Sequence, residues 1–153
     1  MLARVHSSGI IGIEGFPLEV EVDSSPGMQK LTVVGLPDAA VRESVERVRS
    51  ALTNSGFRMP MGNVVVNLAP ADMRKEGVAL DLPIAIGMTL IERHLEGSKF
   101  EEYAIVGELA LDGSVRPVAG ALSMAVCARD RRLRGIIVPH ANAEEAGVVH
   151  GID

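Results

Sequence analysis

Two acidic residues beside a predicted turn, Glu108 and Asp112, are the first candidates for chemistry. Two carboxylates at short spacing can divide the work of a general acid and a general base. Each also has a structural explanation: Asp112-Gly113 is a strong hairpin signal, and Glu108 stands at a predicted strand end, where it can bond to backbone. A small hydrolase with an unrecognised site therefore remains one functional hypothesis.

Cysteine and histidine offer less chemistry. The single cysteine, Cys127, lies in a helix-like apolar run, so a disulfide framework and a four-cysteine zinc site are excluded. We expect a buried core thiol there rather than a reactive nucleophile. No metal-like spacing relates the histidines, so we predict no metal site from His6, His94, His140 and His150.

Nucleotide-binding motifs are absent from the sequence. Neither a G-x-x-x-x-G-K-[ST] phosphate loop nor a G-x-G-x-x-G fingerprint occurs. We therefore expect no cofactor in this segment and no ATP hydrolysis by it alone.

The charge distribution gives one candidate contact surface. A net charge of −5 argues against nucleic-acid binding by the domain surface as a whole. A basic cluster lies at the end of a predicted helix and consists of Arg129, Arg131, Arg132 and Arg134. Cations there also complement the helix dipole and the last free carbonyls. The cluster is a candidate for contact with nucleic acid or a partner, with weak DNA binding at most at physiological salt.

The composition indicates the class of protein to which these residues belong. With 153 residues, 47% hydrophobic and 23% charged, the chain is typical of one globular domain, and with 3% aromatic residues its core must be aliphatic. No apolar run reaches the length of a membrane span, and the N-terminus lacks the pattern of a secretory signal. We expect a cytoplasmic protein without membrane contact.

The first half of the chain predicts strands and then a helix. Residues 11–14 and 18–22 alternate at period two around a reversal at 15–17, and 31–34 form a further strand. A helix follows this strand, and residues 54–56 supply its stop. On the solvated face of the helix, Glu43 can pair with Arg47. The apolar stripe of that helix is Val41, Val45, Val48 and Leu52.

The second half continues the alternation of strands and helices. The β-branched run 63–68 predicts a strand buried on both faces. Pro83 fits the first turn of a helix entered at Asp81, with an apolar stripe of Ile84, Met88, Ile91 and Leu95. Later elements are a strand at 103–109, a strand at 115–118, a helix at 120–130, a strand at 135–139 and a short helix capped by Asn142. The order predicts a mixed α/β fold.

Four motifs stand in order along the chain. They are Val34-Gly35-Leu36-Pro37-Asp38, Asn67-Leu68-Ala69-Pro70-Ala71-Asp72, Lys75-Glu76-Gly77 with Asp81-Leu82-Pro83-Ile84-Ala85, and Gly107-Glu108-Leu109-Ala110-Leu111-Asp112-Gly113. Together they resemble the N-terminal region of one known family, the ComM-type (ComM/YifB) magnesium-chelatase-like AAA+ proteins, and the similarity covers nearly the whole chain.

This resemblance implies a mixed sheet with packed helices of the ribosomal protein S5 domain 2-like class, similar to the Lon proteolytic domain. It implies that residues 1–153 are one N-terminal domain, a fragment of a longer chain with a C-terminal AAA+ motor that binds ATP and Mg. The implied partners are that motor, neighbouring subunits of a ring and possibly DNA. The implied parent is a DNA branch-migration motor in recombination and natural transformation, and a regulatory ligand- or protein-binding domain that gates the motor is an alternative.

The Lon comparison also predicts a loss of catalysis. Lon enzymes carry a nucleophilic serine in a Lys-Asp-Gly-Pro-Ser-Ala-Gly run and a lysine base after a Pro-hydrophobic-Gly-Gly-Leu run. By that resemblance Ala79 replaces the serine and Leu122 replaces the lysine, and neither side chain can act as nucleophile or base. We expect both residues near helix starts, facing each other across a short gap closed by aliphatic packing.

Overall fold

The computed structural model describes residues 1–153, with the side chain of Ser98 as the exception. The strands are β1 (Leu2–Ile11), β2 (Glu14–Ser25), β3 (Lys30–Val34), β4 (Asn63–Ala69), β5 (Tyr103–Ile105), β6 (Glu108–Leu109), β7 (Val115–Arg116) and β8 (Gly135–Ile137). The helices are α1 (Ala39–Asn54), α2 (Asp81–Ile91), α3 (Ala121–Asp130) and α4 (Ala143–Ala146), with 3₁₀ turns at Gly97–Glu102 and His140–Asn142.

A mixed sheet organises these elements. Within the described residues it has six strands in the order β3-β4-β2-β1-β5-β8. The pairs β1–β2 and β2–β4 are antiparallel, whereas β3–β4, β1–β5 and β5–β8 are parallel. The strands β6 and β7 form a separate hairpin. The predicted mixed α/β class is confirmed.

The helices pack on opposite faces of the sheet. A side-chain carbon at Gly87 of α2 would lie 2.6 Å from Cγ2 of Val22, and one at Gly15 would lie 2.6 Å from the carbonyl oxygen of Ser123 in α3. Val22 and Gly15 are an odd number of residues apart on β2, so they point to opposite faces. The main core lies on the α2 side, where α1 also packs, and includes Val20, Val48, Val66, Ile84 and Met88.

Several predicted boundaries need correction. The first reversal is at Gly12-Ile13 between β1 and β2, so the predicted turn at 15–17 is wrong. The strand at 63–69 buries alternate residues, so the prediction that it is buried on both faces is wrong. Leu95 lies beyond the end of α2, and the strand predicted at 103–109 is divided into β5 and β6.

Asn142 occupies the position before α4, but its side chain makes no capping bond there. Its Oδ1 accepts from the Val118 amide at 2.9 Å and its Nδ2 donates to the Val118 carbonyl at 2.9 Å. Asn142 therefore holds the segment that leads into α3. In the part of the chain that the structure describes, no helix is both long and apolar enough to cross a membrane.

Candidate functional site

A cleft opens where β1 and β5 separate. Within the described backbone, their parallel pairing is limited to His6 opposite Ala104. Beyond β5 the chain turns to other partners: the Gly107 amide donates to the Ala79 carbonyl at 2.9 Å, and the Leu82 amide donates to the Gly107 carbonyl at 3.0 Å. Residues 8–10 of β1 are therefore left without a neighbouring strand on that side.

The cleft has a volume of about 440 Å³. Its walls are residues 8–10 of β1, the loop 75–80 before α2, the segment 118–119 before α3, and the start of α1 at Asp38 and Ala40, with Phe16, Leu18 and Met124 completing the lining. This volume falls in the range of ligand pockets, about 300–1,000 Å³.

Ser8 is the unusual polar residue of this lining. It is 1% exposed, and its hydroxyl has no hydrogen-bond partner among the described residues. Buried hydroxyls are ordinarily bonded, because burial without a partner carries a desolvation penalty. A nucleophilic serine needs an adjacent base, and this hydroxyl has none within hydrogen-bond distance. Ser8 was not predicted as a site residue, because a serine in a strand carries no distinguishing signal.

Lys75 holds the loop that forms one wall, and it was also missed. A lysine in a loop usually faces solvent, yet Lys75 is 1% exposed. Its Nζ donates to the Gly35 carbonyl at 2.8 Å and to the Pro70 carbonyl, which follow β3 and β4. Burial lowers the pKa of Lys75, and the nearby Asp72 opposes that shift. Lys75 thus fastens the loop to the ends of two strands.

Asp38 joins the same loop to α1. Its Oδ1 accepts from the Val41 amide at 2.8 Å and caps the helix, while its Oδ2 accepts from the Gly77 amide at 3.3 Å. The Asp38 amide donates to the Lys75 carbonyl at 3.0 Å. The Asp38 carboxylate is therefore engaged with backbone at the wall of the cleft.

A buried ion pair sets the position of α2. Arg47 donates from Nε to Asp81 Oδ2 at 2.7 Å and from Nη2 to Oδ1 at 3.0 Å, and Asp81 Oδ2 also accepts from the Leu109 amide at 3.1 Å. The bond to Asp81 raises the pKa of Arg47. The predicted partner Glu43 is 4.0 Å away, so its pairing with Arg47 is secondary.

The two positions that the Lon resemblance compares with a catalytic pair are Ala79 and Leu122, and only Ala79 lines the cleft. Ala79 lies two residues before α2 and lines the cleft, and Leu122 is the second residue of α3. Leu122 is 41% exposed and borders a separate depression beside Ile13. The inward face of α3 carries Ala121 and Met124, so Leu122 is rotated outward. Both positions lie near helix starts, and they border different depressions of the surface.

The acidic candidates belong to the β6–β7 hairpin. Asp112 Oδ1 accepts from the Ser114 amide at 2.9 Å and from the Ser114 hydroxyl at 2.6 Å, and these bonds lower the pKa of Asp112. Glu108 pairs with Arg116 at 3.9 Å. Neither carboxylate lines the cleft. The geometry favours the turn interpretation of Asp112.

The basic cluster is largely engaged with its own chain. Arg129 bonds to Asp130 at 3.2 Å, and Arg131 donates to the Ser7 carbonyl at 2.7 Å. Arg134 donates to Asp153 at 3.0 Å and to Glu102 at 3.4 Å. Arg132 is exposed, with a φ of 59°.

The histidines and the cysteine are distributed through the fold. His6 Nδ1 lies 3.0 Å from Arg131 Nη2. Among the described residues, no group of His, Cys, Asp and Glu could hold a metal ion. Cys127 is buried at 7% exposure, as predicted.

Fold and site together define a mixed α/β domain with an open cleft that holds a serine without a base. Sequence comparison gives the family: residues 20–142 match the family described as "Subunit ChlI of Mg-chelatase", and the chain belongs to it.

Three relatives show the range of similarity. The chain is 45% identical to YifB of Escherichia coli (strain K12) over 150 residues, covering 98% of this chain and 29% of that protein. It is 42% identical to competence protein ComM of Haemophilus influenzae over 148 residues, covering 97% of this chain and 29% of ComM. A weaker similarity, 23% over 138 residues, relates it to the peroxisomal Lon protease homolog 2 of Caenorhabditis elegans, with 87% of this chain and 18% of that protein covered. The chain thus spans less than a third of the length of these curated relatives.

Proposed function

We propose that this chain is a non-catalytic accessory domain of a magnesium-chelatase-like AAA+ ATPase. Its membership of the ChlI family and its similarity to YifB and ComM support such a parent. Residues 1–153 form the N-terminal domain, a C-terminal motor binds ATP and Mg, and the parent forms a cytoplasmic ring. The fold is of the ribosomal protein S5 domain 2-like type, in keeping with the weaker Lon similarity.

The composition of the cleft is the observation that carries the non-catalytic role. Ala79 presents a methyl group where the Lon motif has its serine, and Leu122 lies outside the cleft. Ser8 has a hydroxyl but no base within hydrogen-bond distance, and the ammonium of Lys75 donates to two carbonyls. Nucleophilic catalysis requires a nucleophile beside a base.

A role of the parent in DNA branch migration during natural transformation is the finer part of the proposal. Similarity to a relative named competence protein ComM supports it. Direct contact of this domain with DNA is weak in the isolated state, because Arg129, Arg131 and Arg134 are bonded within the chain and the net charge is −5. Arg132 is exposed, as Arg129 and Arg134 are, but it makes no ion pair within the described residues, so it is the arginine of the cluster that offers contact to DNA or a neighbouring subunit.

A regulatory binding domain that gates the motor is the second candidate function. The open cleft with its unbonded serine favours it. A hydrolase built on Glu108 and Asp112 is less favoured, because Asp112 is bonded within its own turn and neither carboxylate lines the cleft.

Deletion of this domain from the full-length parent tests the proposal. We expect the parent without residues 1–153 to keep its basal ATPase rate, since the segment has no phosphate loop. We expect the response of that rate to DNA to change by about 5-fold or more, in the range of coupling between sites. Size-exclusion chromatography with ATP checks that both forms assemble equally.

An unchanged DNA response in a correctly assembled deletion variant would contradict the accessory role. The non-catalytic part has its own test, a peptidase and esterase screen of the 153-residue chain beside Ser8→Ala. Turnover that disappears in Ser8→Ala would show that the domain is an enzyme.

A further inference from the structure

The strand β8 stands at one end of the six-stranded sheet, where it is paired with β5 on its inner side. The Ile137 carbonyl accepts from the Val106 amide at 3.1 Å, so the main-chain groups of Ile137 point to that inner side. Main-chain groups of successive strand residues point in opposite directions within the sheet, so those of Ile136 point to the outer edge. An outer edge of this kind can accept a further strand.

Asp153 is already bonded to the outer edge of β8. Its amide donates to the Arg134 carbonyl at 2.9 Å, and its carbonyl accepts from the Ile136 amide at 3.1 Å. Bonds from one residue to the two residues that flank its opposite number are the pattern of a parallel ladder, with Asp153 opposite Gly135. Glycine suits that position, because a side-chain carbon at Gly135 would collide with the Asp153 carbonyl oxygen.

The next pair of bonds in this ladder is prepared on β8. In the same register, the second residue after Asp153 would lie between the Ile136 carbonyl and the Val138 amide. The Val138 amide has no acceptor among the described residues, and the Ile136 carbonyl points to the same outer edge. One acceptor and one donor are therefore aligned for a single residue of an added strand.

An apolar depression lies on one face of the sheet beside this edge. It has a volume of about 230 Å³, and its lining includes Ile136, Val138, Ala146, Val149 and Ile152. Side chains that stand opposite each other on neighbouring strands point to the same face. The first and third residues after Asp153 would stand opposite Ile136 and Val138, so aliphatic side chains at those two positions would fill the depression.

From these bonds we propose that the outer edge of β8 binds the segment of the parent protein that follows Asp153, as a further strand parallel to β8. The occupant is a segment of the same chain, because Asp153 starts the ladder and brings its own chain to this edge. The matched region is only 29% of YifB and of ComM, so proteins of this kind have long segments outside the domain. The inference rests on the proposed function, in which a motor domain follows residues 1–153.

An added strand would determine how the domain is joined to its motor. A flexible linker lets two domains reorient freely, whereas a strand within the sheet fixes the direction in which the chain leaves the domain. Movement of the motor would then act directly on β8 and on α4, which borders the same depression. The strand is thus the connection through which the accessory domain and the motor influence each other.

Hydrogen–deuterium exchange, resolved to single amides by mass spectrometry, tests the added strand in the full-length parent and the 153-residue chain. The Val138 amide should exchange at least about 10-fold more slowly in the parent, because it gains an acceptor in an ordered ladder. The Lys30 amide is the internal control. It donates to the Gly62 carbonyl at 3.1 Å at the opposite end of the sheet, and it should exchange equally in both proteins.

Two proline variants of the parent test the register. Proline at the second residue after Asp153 removes the amide that donates to the Ile136 carbonyl, so Val138 should exchange as fast as in the 153-residue chain. Proline at the first residue is the matched control. The amide of that residue points away from β8, so the slow exchange of Val138 should persist.

The outcomes separate this inference from the proposed function. Equal exchange of Val138 in the parent and in the 153-residue chain overturns the added strand and leaves the accessory role standing. Proline variants that behave alike overturn the parallel register. Exchange in the 153-residue chain that slows as its concentration rises assigns the edge to a second copy, and this result also overturns the inference. The accessory role fails separately, through an unchanged DNA response of the parent that lacks residues 1–153.

Discussion

Asp81 and Ser8 are two buried polar side chains with opposite surroundings. Asp81 is 0% exposed, and its two oxygens accept from Arg47 at 2.7 and 3.0 Å and from the Leu109 amide at 3.1 Å. Ser8 is 1% exposed, and its hydroxyl has no partner in the described residues. Asp81 begins α2, and Ser8 lies across the cleft from the loop that leads into that helix.

The difference separates a side chain that joins three elements of the scaffold from one whose hydroxyl joins none. The bonds of Asp81 join α1, α2 and the β6–β7 hairpin, so that the loop 77–80 has a fixed support. An unbonded hydroxyl joins nothing, and its burial carries a desolvation penalty.

The largest expected effect is at Asp81. Asp81→Ala should lower the free energy of unfolding by about 3–5 kcal/mol, because it leaves Arg47 half-buried without its main partner. Urea denaturation monitored by circular dichroism measures this loss. Glu46→Ala is the matched control: its pair with Arg49 is exposed at 3.8 Å, and a change below about 1 kcal/mol is expected. Equal losses in the two variants would show that the buried pair has no special structural role.

The sequence predicted the long periodic elements well, for a physical reason. The stripe Val41, Val48 and Leu52 located α1, and its end at Asn54 followed from the Asn-Ser-Gly stop. α3 was located equally closely. Amphipathic spacing survives in any tertiary context that buries one face of a helix.

Local turn chemistry was misleading at Gly15-Phe16-Pro17. Pro17 lies within β2, where the pairing with β4 has not begun, since that ladder starts at Glu19. Proline is tolerated at such an edge because no ladder bond is needed. The continuous valine run of β4 suggested burial on both faces, yet Val65 is half-buried while Val64 and Val66 are buried.

The candidate site depended on contacts between residues distant in sequence. Arg47 and Asp81 are separated by 34 positions, and Lys75 reaches a carbonyl 40 positions away. Charged residues in a helix face or a loop usually face solvent, and only tertiary contacts distinguish the exceptions. Ser8 gained its significance from the separation of β1 and β5, which no local pattern encodes.

Substitution of His6 should change the free energy of unfolding by less than substitution of Asp81, and the change should depend on pH. Burial and the neighbouring Arg131 lower the pKa of His6 below 6.5, while Glu19 and Glu101 oppose the shift. As the pH falls through 6.5, the unfolded chain therefore binds the proton first, and stability decreases until the lower folded pKa is passed. Urea titrations between about pH 8 and pH 5 measure this slope. His6→Gln should remove that part of it, and an unchanged slope would contradict the assignment.

The smallest expected effect on stability is at Ser8. It tests whether the Ser8 hydroxyl is unbonded, in contrast to the fully bonded Asp81. Ser8→Ala removes an unbonded hydroxyl from a buried position, so the free energy of unfolding should stay unchanged or rise by up to about 1 kcal/mol. The neighbouring Ser7 provides the control: Ser7→Ala breaks a 2.8 Å bond to the Ile105 carbonyl and should lower it by about 1 kcal/mol. The two variants remove the same atom from adjacent buried positions of one strand, so their difference isolates the bond itself. A loss at Ser8 equal to that at Ser7 would mean that the Ser8 hydroxyl makes a hydrogen bond in the folded protein, and the contrast with Asp81 would disappear.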